Sequence, residues 1–325
     1  MSQIPPPGAH GGDGALIARA LGRSPEEMLD LSHSLNPLAR DPRPIVAAHL
    51  DEIRRYPDGA AAHSALSAVM KVAPERLLLT NGGAEAIALV SALVGGSVVE
   101  PAFSLHPRGG GPRWRSNPHS PSGLLADASE RAAVWDEAFY PLTTGEWTRA
   151  DEGAIVVGSL TKVLACPGLR VGYVLADGEF IEACRARQPA WSLNGLAAAA
   201  LPDLLAVLDL AHDVAAIRVL RERLNTLLVS HGLAVRPSDA NWLLVERPGL
   251  REALAPVGVV VRDCATFAMP GVYRVAVPNE AGLTRLAEAL ERIEPWLADQ
   301  RSSNSASPVT ATNEMKIVKE KETEK

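Results

Sequence analysis

Lysine is scarce in this chain. Ahead of residue 301 there are two, Lys71 and Lys162, and arginine carries nearly all the other positive charge. A sequence that uses arginine almost everywhere and keeps a lysine in an apolar setting can need an amine specifically. Lysine can shed its proton and condense with a carbonyl, and arginine cannot. Lys71 reads as a surface residue; for Lys162 the count alone leaves a surface role and a chemical role both open. Cysteine is scarce too. Cys166, Cys184 and Cys264 are odd in number, far apart and without metal-ligand spacing. They read as reduced thiols of a cytoplasmic protein, and no metal site is expected. An excess of positive charge is missing: the formal net charge is -6, which gives no footprint for nucleic acid or an anionic membrane, and neither partner is expected. A long apolar run is missing as well. The best candidate, 86–99, is broken by Gly95-Gly96 and stopped by Glu100, too short to span a bilayer. The N-terminus has neither a basic patch nor an apolar stretch, so no secretory signal is expected.

What is present is a globular composition, with enough apolar residues for one large domain or two unequal ones. Periodicity predicts helices over 14–22, 44–55, 60–72, 84–94, 179–187, 193–201, 203–231, 250–255 and 280–297. Strands are expected at 28–32, 76–79, 97–99, 132–135, 154–157, 171–176, 234–236, 242–246, 259–262 and 273–277. The Pro-, Gly-, Asn- and Ser-rich stretch 106–123 reads as loop. The middle of the chain alternates strand and helix, the pattern of an α/β fold with a mostly parallel sheet. The last hundred residues before the tail read as a smaller α+β unit. The expected organisation is a large domain over 39–196, a small domain from 1–38 with 197–298, and a disordered tail over 299–325 that is too polar to order itself.

Three expected strand ends carry chemistry. Asp136 ends one, Ser159-Leu160-Thr161-Lys162 ends a second, and Asn81-Gly82-Gly83-Ala84 follows a third. Ligands of such sheets bind outside the carboxyl ends of the strands. The three groups therefore meet at one crevice, offering an acid, an amine with hydroxyls, and N–H groups at a helix start.

Ser159-Leu160-Thr161-Lys162, followed by Pro167-Gly168-Leu169-Arg170-Val171-Gly172-Tyr173, resembles the cofactor-lysine motif of the class I/II aminotransferases, which use pyridoxal 5′-phosphate (PLP). Trp135-Asp136-Glu137-Ala138-Phe139 and Asn81-Gly82-Gly83-Ala84-Glu85-Ala86 resemble that family's aspartate and phosphate-cup motifs. The similarity is nearest to the branch holding histidinol-phosphate aminotransferase and the threonine-phosphate decarboxylase of cobalamin biosynthesis. His10-Gly11-Gly12-Asp13, Asp30-Leu31-Ser32 with Asn36-Pro37, and Trp191-Ser192-Leu193-Asn194 favour the decarboxylase, as do Pro237-Ser238-Asp239-Ala240-Asn241 and Val261-Arg262-Asp263-Cys264. The resemblance implies the fold type I α/β architecture and a role for each residue. Lys162 holds the cofactor covalently and moves protons at the substrate α-carbon. Asp136 pairs with the ring nitrogen, although it is also placed to cap a turn. Ser159, Thr161 and Arg170 bind the cofactor phosphate with the N–H groups at Gly82, Gly83 and Ala84. Tyr56 reaches a partner subunit's phosphate, which implies a homodimer, and a plain core tyrosine is the competing role. Arg274 takes the substrate carboxylate and Arg262 a substrate phosphate. Asn36, Asn194 and His10 line the substrate end.

Three departures from the family pattern stand out. The stretch between 101–104 and 117–118 is short by roughly a strand and a helix. Ser120 replaces the asparagine that donates to the ring hydroxyl oxygen, and Phe139 stands where a tyrosine often donates to the same atom. His106 sits where an aromatic often stacks on the ring. Three readings follow: decarboxylation of a phosphorylated amino acid, transamination of histidinol phosphate or a related amino acid, and a protein of this fold that has lost efficient catalysis.

Overall fold

The computed structural model describes residues 4–149 and 151–305. Its strands are β1 (Leu29–Asp30), β2 (Leu77–Asn81), β3 (Trp114–Ser116), β4 (Val134–Asp136), β5 (Ile155–Ser159) and β6 (Val171–Leu175), then β7 (Ala234–Arg236), β8 (Trp242–Glu246), β9 (Val259–Val260), β10 (Arg262–Asp263) and β11 (Val272–Ala276). The large sheet has the order β2-β6-β5-β4-β3. β6 runs antiparallel to both neighbours, whereas β5, β4 and β3 pair in parallel. Four strands therefore point one way, and Asn81, Ser116, Asp136 and Ser159 all end at the same edge.

Side-chain alternation along each strand builds a core on either face. Leu77, Leu79, Val156, Tyr173 and Leu175 pack with the helices Ala60–Met70 and Gly195–Ala206. Leu78, Val157 and Val174 pack with the helices Gly82–Val94 and Gly178–Arg185. The result is the expected α/β fold, a sheet between two helical layers.

The smaller unit is an antiparallel sheet of order β10-β11-β8-β7, covered by the helix Glu280–Arg292 and the second half of the helix Leu210–Ser230. The N-terminal segment joins it through β1, which pairs in parallel with β9.

Four expectations need correction. The stretch 106–123 is not all loop. It contains β3, whose Trp114 is fully buried and donates from Nε1 to Gly95 O at 2.9 Å. The surrounding prolines and glycines hid a strand only three residues long. Conversely, 97–99 contributes a single bridge, Ser97 to Arg113. The boundary expected at 196 falls inside the helix Gly195–Ala206, whose Ala197, Leu201 and Leu205 belong to the large-sheet core. By packing this helix goes with the large unit. Finally, the helix expected over 280–297 breaks at Ile293, and a second helix, Glu294–Ser305, enters the expected tail. The rest of that tail, 306–325, lies outside the described residues.

Candidate active site

The turn after β2 is built by close contact between backbones. Gly82 has φ +74°, a conformation that costs other residues strain, and a Cβ there would lie 2.5 Å from Arg170 Nη2. Gly172 on β6 presses against the same turn: a Cβ would fall 2.4 Å from Gly82 C and 2.5 Å from Gly83 N. These two glycines let Arg170 reach the start of the helix Gly82–Val94. Gly83 and Ala84, in its first turn, line a cavity of about 330 Å³ together with Ser159, Thr161, Lys162 and Arg170. First-turn N–H groups lack partners within their helix and favour an anion.

Lys162 lies just after β5, in the short helix Leu160–Val163. Its Nζ donates to His33 O at 3.0 Å and sits 5.3 Å from the centre of the Phe139 ring. Burial, then the charges of Arg274, Arg262 and Arg170, lower its pKa to about 7 against the opposing pull of Asp136. Near neutral pH a large fraction of this amine is therefore unprotonated and nucleophilic.

Asp136, at the end of β4, faces the same cavity. Its Oδ1 accepts from Ala138 N at 3.1 Å, and its Oδ2 lies 2.8 Å from His106 Nε2. Phe103 and Ser120 complete this side of the wall.

The opposite wall carries two guanidinium groups. Arg262 on β10 is directly opposite Arg274 on β11 in the strand register. Both are buried, and among the described residues neither has a carboxylate within ion-pair distance. Arg274 Nε and Arg262 Nε and Nη2 have no hydrogen-bond partner among those residues. Aromatic faces flank them instead: Arg274 Cζ is 4.8 Å from the Trp242 ring centre and Arg262 Cζ is 4.7 Å from that of Phe267. Cation–π contact offsets only part of the cost of burying such a charge. The pocket thus holds Lys162, Arg170, Arg262 and Arg274 against the single carboxylate of Asp136, the balance of a site for a ligand with several negative charges.

The family model for aminotransferase class I and II matches residues 116–290, more than half the chain. The chain belongs to that family. It is 29% identical to threonine-phosphate decarboxylase of Salmonella typhimurium, over 89% of this chain and 98% of that protein. It is 26% identical to histidinol-phosphate aminotransferase of Symbiobacterium thermophilum, over 85% of this chain and 92% of that one. Among solved structures, the fold is shared with histidinol-phosphate aminotransferase from Sinorhizobium meliloti in complex with pyridoxal-5′-phosphate. That likeness has a TM-score of 0.74 at 16% identity, covering 87% and 95% of the two chains. The match to the decarboxylase runs over 359 positions on a chain of 325, so it requires gaps in this chain, in keeping with the short stretch noted above.

A class I/II aminotransferase is a PLP enzyme, and the pocket residues fit that cofactor. Thr161 Oγ1 is buried without a partner among the described residues, on the cavity wall with the helix start and Arg170, where a phosphate needs donors. Asp136 is held at both oxygens, suited to pairing with a protonated ring nitrogen. Lys162 would supply the amine.

The expected site residues divide into two groups. His10, Gly83, Ala84, Ser120, Asp136, Ser159, Thr161, Lys162, Arg170, Arg262 and Arg274 line one cavity. The others sit elsewhere. His106 does not stack over the pocket; its ring is buried behind Asp136 and meets Trp114 and Phe103. The aromatic on the pocket wall is Phe103. Asn36 does not line the substrate end, because its Nδ2 donates to Val163 O and Asp213 Oδ2, and its Oδ1 accepts from Leu38 N. Asn194 caps the helix Gly195–Ala206 and donates to Leu169 O at 2.7 Å, which steadies the residue next to Arg170. Gly82 acts through Arg170 rather than from the wall. Tyr56 is 78% exposed and stacks on Trp191, away from this chain's cavity; a core role is excluded. Sequence reasoning missed Ser32, His33 and Phe103 on the wall. Phe103 stands three residues before His106 in the chain, and the aromatic position falls to it. Nothing in the sequence marked His33, which depends on how β1 is seated.

Proposed function

We propose that this chain is a PLP-dependent decarboxylase of a phosphorylated amino acid, converting threonine O-phosphate to aminopropanol phosphate for cobalamin biosynthesis. The observation that carries the proposal is the buried pair Arg262 and Arg274, opposite one another and, among the described residues, with no carboxylate within ion-pair distance. An amino acid with both a carboxylate and a phosphate supplies two anions to two cations, over and above the phosphate of the cofactor at Arg170. Similarity to threonine-phosphate decarboxylase supports the same substrate class.

When bound, PLP supplies an electron-accepting ring for the α-carbon's electrons. The chain's residues do the rest. Asp136 keeps the ring nitrogen protonated. Ser159, Thr161, Arg170 and the Gly83 and Ala84 N–H groups anchor the phosphate. Arg274 grips the carboxylate in a fork, Arg262 takes the second anion, and His10 stands at the mouth of the pocket. Ser120 is the hydroxyl available to the ring oxygen. Lys162 returns a proton to the α-carbon. Phe139 and Phe103 keep this end of the cavity apolar.

Transamination is the second reading, supported by the similarity to histidinol-phosphate aminotransferase, since the same residues serve both reactions. The holoenzyme with threonine phosphate decides between them: release of carbon dioxide supports decarboxylation, and formation of a keto acid supports transamination. Absence of turnover with any phosphorylated amino acid favours the non-catalytic reading. The proposed homodimer rests on Tyr56, Trp191, Ile53 and Leu50, four large apolar or aromatic side chains exposed near one another in sequence or by stacking. Sedimentation of Tyr56→Arg beside wild type tests it, with a shift to monomer expected.

A further inference from the structure

His33 follows β1 and lines the cavity. Its backbone oxygen holds Lys162 Nζ at 3.0 Å, so the residue stands against the reactive amine. Its ring makes no hydrogen bond to another described residue, and Nδ1 is sealed from solvent without a partner. An unpaired buried donor is costlier than an unpaired acceptor. The neutral ring therefore carries its proton on Nε2 and leaves Nδ1 bare. A half-buried imidazole that makes no hydrogen bond to another described residue has one to give to a ligand.

We propose that His33 is a substrate-contacting residue that sets specificity, donating a hydrogen bond from Nε2 to an anionic oxygen of the ligand beside Lys162 and Arg274. The inference rests on the reading of the pocket as a site for an acidic, phosphorylated amino acid, and adds to it a neutral donor among cations. The charged and titratable groups around the ring are Asp30 from β1, Lys162, and Arg274 from β11, with His10, Asp136, Arg170 and Arg262 on the remaining wall. Burial and the two cations outweigh Asp30 and hold the ring's pKa below its ordinary value. An anion seated against His33 shifts that balance toward the charged form. Binding should then strengthen as pH falls, through this residue.

The test uses PLP-loaded enzyme and the analogue of threonine O-phosphate that lacks the amino group, which occupies the subsites without condensing. Its affinity is measured by calorimetry from pH 6 to pH 8 for wild type, His33→Ala and His33→Gln. The visible band of bound PLP and the unfolding temperature confirm that each variant is intact. The alanine variant should bind about tenfold more weakly or worse. Glutamine, which keeps an N–H near the position of Nε2, should recover most of the affinity at pH 8 but lack the extra strengthening of wild type toward pH 6. The ligand's phosphate and His10 titrate alike in all three proteins, so the difference isolates His33. Equal affinity of wild type and His33→Ala overturns the inference. If alanine disrupts the site, the glutamine profile decides alone, and a profile parallel to wild type overturns it. Wild type that loads PLP but binds no analogue overturns the substrate reading underneath. Failure to release carbon dioxide, with the analogue results as expected, overturns the decarboxylase reading and leaves the role of His33 standing.

Discussion

His106 Nε2 lies 2.8 Å from Asp136 Oδ2, and the imidazole is wholly enclosed behind the pocket. With the Ala138 N–H on the other oxygen, the carboxylate is held at both ends and cannot swing from the cavity. Under the proposed pairing of Asp136 with the ring nitrogen, His106 is a positioning residue that acts through that carboxylate. Replacing it by phenylalanine keeps an aromatic ring, somewhat larger than the imidazole, and removes the hydrogen bond, worth about 1–1.5 kcal/mol. PLP affinity of His106→Phe should fall about tenfold, read by titration of the visible band, with His106→Gln recovering part of the loss. Wild-type affinity in the phenylalanine variant would show that Asp136 is fixed without its neighbour.

The depressed pKa of Lys162 gives a second prediction. With the folded value near 7, capture of PLP by the apoenzyme should quicken as pH rises toward 7, because the amine must be unprotonated. It should level off above that value. An ordinary lysine would keep gaining rate to about pH 10.4. Stopped-flow absorbance from pH 5.5 to pH 9 separates the two shapes. Lys162→Ala should form no borohydride-fixed adduct, and a fixed adduct in that variant would assign the chemistry to another amine.

Glu137, next to Asp136, is fully buried and accepts from Arg149 N at 3.1 Å. Burial pushes its pKa up from 4.5 to about 7, despite hydrogen bonds from Thr148 and Arg149. The folded state keeps this proton to higher pH than the unfolded chain. The associated stability is present below about pH 4.5 and is lost as pH rises through about 7. Glu137→Gln removes the titration, so the variant should be more stable than wild type at pH 8, by up to about 3 kcal/mol, and the gap should close toward pH 5. Thermal unfolding of the apoenzyme at both values measures it. A gap independent of pH would mean that ionisation of Glu137 is not its source.

Much of this site was legible because its residues sit at ends of apolar strands. Asp136, Ser159 and Lys162 follow runs that bury on both faces, and Gly82-Gly83 marks a turn that side chains would block. Parallel strands then bring those ends to one edge, as expected. The register of β10 against β11, which opposes Arg262 to Arg274, depends on pairing that no local pattern announces. Asn36 and Asn194 looked like ligands because both are polar residues in family-like motifs. Their hydrogen bonds are used instead to tie Val163 to Asp213 and to cap a helix. The histidines were the least readable. His106 and His33 are placed by tertiary contacts, one behind Asp136 and the other against Lys162.

The two arginines allow the substrate reading to be dissected. Like charges directly opposite across a strand pair are destabilising, and these two are buried as well, so the free pocket carries an electrostatic cost that an anionic ligand relieves. If Arg274 holds the carboxylate and Arg262 the phosphate, their variants should differ by substrate. Arg274→Lys loses the bidentate fork and should lower kcat/KM for every amino acid tried, by 2 kcal/mol or more, about thirtyfold. Arg262→Gln should impair threonine phosphate to a similar degree while leaving an unphosphorylated amino acid nearly unchanged. Because it removes one of two opposed cations, it should also raise the unfolding temperature of the unliganded protein. Equal losses on both substrates from both variants would mean that the guanidinium groups grip one anion together. The second anion would then lie at the mouth of the pocket, where His10 stands.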